Sequence, residues 1–109
     1  METRTLGRTG RQVSVVGLGT WQLGADWGAV DERDAVGVLE AAVGEGVTLF
    51  DTADVYGDGR SERLIGGFLR DNPGLEVTVA TKMGRRVPQV PEAYTLDAFR
   101  GWTDRSRSR

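Results

Sequence analysis

Hydrophobic and polar positions along the chain follow two alternating periods. Residues 3–16, TRTLGRTGRQVSVV, carry short strand-like runs on either side of Gly7 to Gly10 and predict a hairpin with a glycine-containing loop. The apolar run VVGLGTW follows as a strand that ends in glycines. The spacing then becomes helical over ERDAVGVLEAAVGEG, where Ala35, Leu39 and Ala42, with Val38 beside them, share a face. Asp31 stands ready to cap this helix and Gly44 and Gly46 to stop it. VTLFD, residues 47–51, reads as a second short strand. Ser61 is placed to cap a helix over ERLIGGFLRD, whose Leu64, Ile65, Phe68 and Leu69 form one stripe ending at Asn72, Pro73 and Gly74. VTVATK, residues 77–82, predicts a third strand, and TLDAFRGWTDRSRSR a last helix built on Leu96, Phe99 and Trp102.

A hairpin followed by alternating strands and helices argues for an α/β fold, with parallel strands joined by helical crossovers. In such folds ligands bind at the carboxyl ends of the strands. Two unusual features fall there. Asp51 closes one strand and is followed by Asp54 and Tyr56, while Lys82, the single lysine beside thirteen arginines, closes the next.

Composition narrows the chemistry. The chain has 109 residues, of which 39% are hydrophobic and 28% charged, as expected of one soluble domain spanning residues 1–109. A net charge of -2 supplies no overall basic field, so neither nucleic acid nor an acidic membrane surface is the expected partner. The tail DRSRSR then reads as solvated surface. With no cysteine and no histidine, thiolate chemistry and the commonest general base and metal ligands are excluded, and no metal site is expected. Asp, Glu, Tyr, Lys and Ser remain as catalytic types. The N-terminus METRTLGRTGRQ lacks an apolar signal core, and no stretch approaches the roughly 18 apolar residues that span a bilayer. A cytoplasmic location is the expectation.

The strand period of two places Thr78, Ala80 and Lys82 on one face, with Val77 and Val79 turned to the helix layer. Val47, Leu49 and Asp51 share a face in the preceding strand. With both sets turned inward, Asp51 and Lys82 meet across strands roughly 4.8 Å apart. Tyr56, on a loop carrying Gly57 and Gly59, can then fold back over the pair. A phenol is a weak acid at neutral pH, and a neighbouring cation favours its phenolate, so such a tyrosine becomes a usable general acid. Asp51 would hold the lysine charged and oriented. The plainer alternative is a structural ion pair beside a half-buried loop tyrosine. VVGLGTWQLG does not complete the G-x-G-x-x-G fingerprint, since Gln22 occupies the third position, and there is no Walker-type loop. Asp54, Asp58 and Glu62 lack calcium-loop spacing and read as turn and cap residues.

Taken together, GLGTW at 17–21, FDTADVYGDGRSE at 50–62 and ATKMG at 80–84 resemble the aldo-keto reductase family in order, type and spacing. The resemblance implies a (β/α)8 barrel of the TIM type, here with its N-terminal hairpin and about the first three β/α units, since the whole barrel needs about 250 residues. It also implies a nicotinamide cofactor, usually NADPH, and a small-molecule carbonyl substrate, an aldehyde or ketone reduced to an alcohol. On this pattern Tyr56 is the proton donor, Lys82 its assistant, and Asp51 the aspartate that also lies near the nicotinamide ribose. Thr20 and Trp21 match positions lining the nicotinamide and substrate pocket, and Gly19 gives close backbone approach. The family's fourth catalytic residue, a histidine ending the fourth strand, has no counterpart in this sequence. The alternative expectation is therefore a non-catalytic portion of a barrel, or a cofactor-sensing subunit, that self-associates through open strand edges.

Overall fold

The computed structural model describes residues 1–24 and 30–109. Strands β1 (Thr3–Thr5) and β2 (Gln12–Ser14) pair antiparallel, with Thr3 opposite Ser14 and Thr5 opposite Gln12. This is the predicted hairpin. Its loop contains a single 3-10 turn at Gly7–Thr9 and is closed by Gly10 at φ +73°. Strands β3 (Leu18–Gly19), β4 (Leu49–Asp51) and β5 (Thr78–Ala80) form a parallel sheet in the order β3-β4-β5. Helix α1 (Glu32–Gly44) connects β3 to β4, α2 (Arg60–Asp71) connects β4 to β5, and α3 (Leu96–Ser108) follows β5. The predicted alternation is thus present, with strands shorter than their apolar runs. Val15 and Val16, read as strand, are largely exposed in the link between hairpin and sheet.

The core lies between the sheet and helices α1 and α2. Leu23, Ala35, Leu39, Val47, Phe50, Ile65 and Phe68 are buried together, and Leu64 and Leu69 pack against them. Each large apolar side chain so buried contributes roughly 1.5–3 kcal/mol. On α1 the buried stripe is completed by Val36 and Val43, whereas Val38 points outward. Val47 also departs from expectation. It belongs to the helix-side core rather than sharing an inward face with Leu49, because regular pairing begins only at Leu49 and the alternation does not reach back past the turn at Gly46. Within β4 the alternation holds: Phe50 is fully buried toward the helices and Asp51 faces away from them. Val79, in register with Phe50, faces the helix layer as expected and lies beside Ile65 and Leu69, although it stays 37% exposed. On α3, Trp102 is buried and meets Tyr94 and Phe99 edge-on, while Leu96 is exposed.

Helix α2 starts differently from its sequence reading. Its cap is Gly59, in the left-handed conformation at φ 91°, and Ser61 lies inside the helix with its hydroxyl buried. The first free N–H groups are met by loop carbonyls instead: Arg60 N donates to Gly57 O at 3.2 Å and Ser61 N to Tyr56 O at 3.2 Å. The start of α2 therefore fixes the backbone of Tyr56. At the opposite end of the sheet, the hairpin is tied to β4 by a reciprocal pair, Ser14 N to Thr48 Oγ1 and Thr48 N to Ser14 Oγ, each 2.9 Å. The hairpin thus covers the amino ends of the strands and leaves the carboxyl ends open.

Candidate active site

Backbone pairing continues beyond the last residue of each regular strand. Thr20 N donates to Asp51 O at 3.0 Å, Thr52 N to Ala80 O at 2.8 Å, and Asp54 N to Lys82 O at 3.1 Å. These bonds hold the segments after β3, β4 and β5 in register where they would otherwise splay. Behind them lies a buried knot of hydroxyls. Ser61 Oγ donates to Thr20 Oγ1 at 2.8 Å, and Thr20 Oγ1 donates to Asp51 O at 2.9 Å. Ser61 has only one proton to give, so Thr52 Oγ1, 2.8 Å away, is the donor to Ser61. Thr20, Thr52 and Ser61 are all buried, and a buried polar group needs its partners. The relay fastens α2 to the ends of β3 and β4.

On this frame Asp51, Tyr56 and Lys82 come together. Lys82 Nζ donates to Asp51 Oδ1 and Oδ2 at 3.0 Å each, to Thr52 O at 2.8 Å and to Tyr56 Oη at 3.3 Å. An ammonium has three protons, and here it has three acceptor groups: a carboxylate, a carbonyl and a phenol oxygen. Because Tyr56 Oη accepts from the ammonium, its own proton is left to point elsewhere. Burial alone would pull the Lys82 pKa down, but hydrogen bonds to Asp51 and Tyr56 and the Asp51 charge outweigh it and raise it above the usual lysine value. The ammonium therefore persists throughout the neutral range. Both Asp51 and Lys82 remain half exposed, on the open side of the sheet.

Tyr56 and Lys82 line a cleft of about 460 Å³ together with Trp21 and Arg85, and Asp51 stands behind Lys82. Trp21 is 47% exposed and presents a ring to it. Gly19 lies opposite Asp51 in the β3–β4 register, and a Cβ built there meets nothing within 4 Å, so the backbone beside the carboxylate is open to approach. Of the predicted site residues, Trp21, Tyr56 and Lys82 line the cleft, whereas Gly19 and Asp51 lie beside it and Thr20 is fully buried within the hydroxyl knot.

The acidic residues read as turn and cap lie in turns at Asp54 and Asp58 and in the first turn of α2 at Glu62, but their side chains differ in partners. Asp58 occupies a turn at φ 53° and pairs with Arg86. Glu62 is buried and accepts from Thr81 Oγ1 at 2.6 Å, Ser106 Oγ at 2.7 Å and Arg109 at 2.6 Å. Burial would raise its pKa, yet these hydrogen bonds and the Arg109 charge hold it below the usual value. The DRSRSR tail is accordingly only partly solvated surface, since Ser106 and Arg109 dock α3 on α2. Asp54 is buried, and among the described residues neither of its carboxylate oxygens has a hydrogen-bond partner. Its pKa is raised, first by desolvation and further by Glu62, against the pull of Arg86, Arg109 and Arg105. Sequence reasoning missed the Thr52 carbonyl, an acceptor that no side-chain pattern advertises. It also missed the contact between Gly24 and Gly57, where a Cβ on Gly24 would lie 2.5 Å from Gly57 N.

Comparison with known proteins shows the family and the fold. The sequence profile described as the aldo/keto reductase family matches residues 15–109. Pyridoxal 4-dehydrogenase of Microbacterium luteolum is 41% identical over 110 residues, covering 93% of this chain and 31% of that protein. Aldo-keto reductase YhdN of Bacillus subtilis is 39% identical over 84 residues, covering 75% of this chain and 25% of that protein. Among solved structures, the holo form of an aldo-keto reductase from Bacillus halodurans superposes with a TM-score of 0.79 at 28% identity, covering 99% of this chain and 36% of that one. The chain thus spans about a third or less of these curated relatives. Its fold is the corresponding portion of a (β/α)8 barrel: the hairpin, three parallel strands and their helices.

Proposed function

The chain belongs to the aldo/keto reductase family, and on that footing we propose that it supplies the proton-transfer site of an NADP(H)-dependent oxidoreductase that reduces aldehydes or ketones to alcohols. The observation that carries this reading is the hydrogen bonding of Lys82 Nζ, which ties Asp51, Thr52 O and Tyr56 Oη into one cluster whose Lys82 and Tyr56 line a cleft. Tyr56, accepting from the ammonium, directs its hydroxyl proton to a carbonyl oxygen placed in the cleft. As the proton leaves, the negative charge on Oη faces a cation already in position, so little reorganisation accompanies the transfer. Asp51 neutralises and aims Lys82 and so keeps the ammonium from drifting into solvent.

The residues present fit a nicotinamide cofactor. Gly19 leaves an open ledge beside Asp51, and the exposed face of Trp21 adjoins the same cleft, so a flat ring can approach the backbone there and a ribose hydroxyl can reach the carboxylate. When bound, such a cofactor supplies the hydride, and this chain contributes position and the proton. Thr20 acts through Asp51, by holding its carbonyl. β3 and β5 are the edge strands of the sheet, and their unpaired outer backbone is the surface through which the chain on its own would self-associate.

Tyr56→Phe in a full-length barrel containing this segment tests the reading. NADPH binding, followed by fluorescence titration, should stay near the parent value while turnover collapses, because the hydroxyl serves proton transfer. A parallel loss of cofactor affinity and rate would make Tyr56 a binding residue and overturn the assignment.

A further inference from the structure

We propose that Arg85 selects carbonyl substrates bearing a second, anionic group, such as a carboxylate-substituted aldehyde. The proposal rests on the reading of the cleft as the carbonyl site and adds the class of substrate that site prefers. Arg85 lines the same cleft as Tyr56 and Lys82, in the size range of small-molecule pockets. One substrate can therefore meet all three side chains.

The charges around the cleft are unequal once their partners are assigned. Lys82 is matched by Asp51, and Arg86 is matched by Asp58. Asp54 also lines the cleft, but both its oxygens are closed off from solvent. Among the described residues Arg85 is exposed and has no ion pair or hydrogen bond of its own. The uncompensated charge facing the cleft is therefore positive. A guanidinium stays charged at any working pH and presents a planar fork of donors that fits a carboxylate.

The segment that carries Arg85 is fastened, which separates it from an arginine on a wandering loop. Gly84, immediately before it, is buried at φ +102°. The Gly84 carbonyl accepts from Tyr94 Oη at 3.0 Å and Gln89 Nε2 at 2.9 Å. Two residues earlier, the Lys82 carbonyl accepts from Asp54 N. With the backbone held at both points, Arg85 rises from a fixed place beside the proton donor.

The test is calorimetric binding of para-formylbenzoate and of its neutral methyl ester to a full-length barrel containing this segment, in the parent and in Arg85→Met and Arg85→Lys. The two ligands share a ring and an aldehyde, so their difference isolates the charge. The parent should prefer the carboxylate, and Arg85→Met should weaken it by roughly five-fold while leaving the ester unchanged. Arg85→Lys should retain part of the preference, which should shrink as salt is raised. Equal affinity of the two ligands for the parent, or the same change for both in the Met variant, overturns the proposal. Turnover of the ester, measured in the same samples, reports separately on the proposed reaction: ester that binds without being reduced sinks that reaction and leaves the charge selection to be judged by binding alone.

Discussion

The contact most exposed to disruption without touching any of the proposed catalytic side chains is the one between Gly24 and Gly57. A Cβ on Gly24 would lie 2.5 Å from Gly57 N, 2.7 Å from Tyr56 C and 3.1 Å from Tyr56 Cα. Carbon atoms pack comfortably at roughly 3.5–4.0 Å, so Gly24→Ala must push the Tyr56–Gly57 peptide away by about 1 Å. The obstructing atoms are backbone, which cannot rotate aside as a side-chain tip can. Overpacking of this kind costs about 1–3 kcal/mol. The effect on rate should be larger than the effect on stability. Lys82 Nζ and Tyr56 Oη are already 3.3 Å apart, at the long end of a hydrogen bond, so a further shift breaks the contact. A 1 Å misplacement of a reacting group costs about 10²-fold.

The assay is saturated carbonyl reduction beside thermal unfolding, in a full-length barrel containing this segment, with Gly37→Ala as control. Gly37 lies inside α1 and a Cβ there meets nothing within 4 Å, so that change should gain roughly 0.5–1 kcal/mol and leave the rate alone. Turnover of the Gly24→Ala protein equal to the parent's, in a folded sample, would refute the claim that this contact positions Tyr56.

Two further substitutions probe the charged groups. Lys82→Arg keeps the positive charge but should lower turnover by about 10²-fold, because a planar guanidinium cannot address a carboxylate, a carbonyl and a phenol from one nitrogen; near-parental turnover would remove Lys82 from its role. Asp54 has a folded pKa raised above its ordinary 3.8, so the stability linked to its protonation is fully present below pH 3.8 and is lost as pH rises through the folded value. Asp54→Asn should therefore stabilise the protein at neutral pH, the gain vanishing on acidification below that point, and chemical unfolding across the range would show a loss at neutral pH if the carboxylate were instead well solvated or paired.

Much of the site was legible because its signals are local or periodic. The alternation of Leu49, Phe50 and Asp51 placed the aspartate on the open face, and the same period in β5 carried Lys82 to that face. Register then completed the match: Asp51 pairs with Ala80, and Lys82, two residues beyond, reaches back along a flexible stem. What escaped depended on distant partners. Glu62 reads as a solvated helix residue until Arg109, 47 positions away, is found against it. Ser61 satisfies the capping pattern, yet with the left-handed Gly59 as cap the helix begins two residues earlier, which turns the hydroxyl inward to Thr20 and Thr52. Val47 followed the strand alternation on paper but precedes the pairing that enforces it.

These misses share a physical origin that bears on how the site keeps its shape. Asp51 and Lys82 are half exposed, and an ion pair in that setting contributes little rigidity by itself. The order has to come from behind. Ser61 supplies it by joining α2 to Thr20 and Thr52, and Thr20 passes the constraint to the carbonyl of Asp51 through both its amide and its hydroxyl. On the other side, Lys82 is held to the segment after β4 twice, by its carbonyl to Asp54 N and by its ammonium to Thr52 O. The catalytic candidates therefore inherit their geometry from backbone groups of Asp51, Thr52 and Asp54, whose positions are set by buried hydroxyls and strand pairing. Such an arrangement leaves the candidate side chains open to the cleft while the atoms that aim them stay in the core.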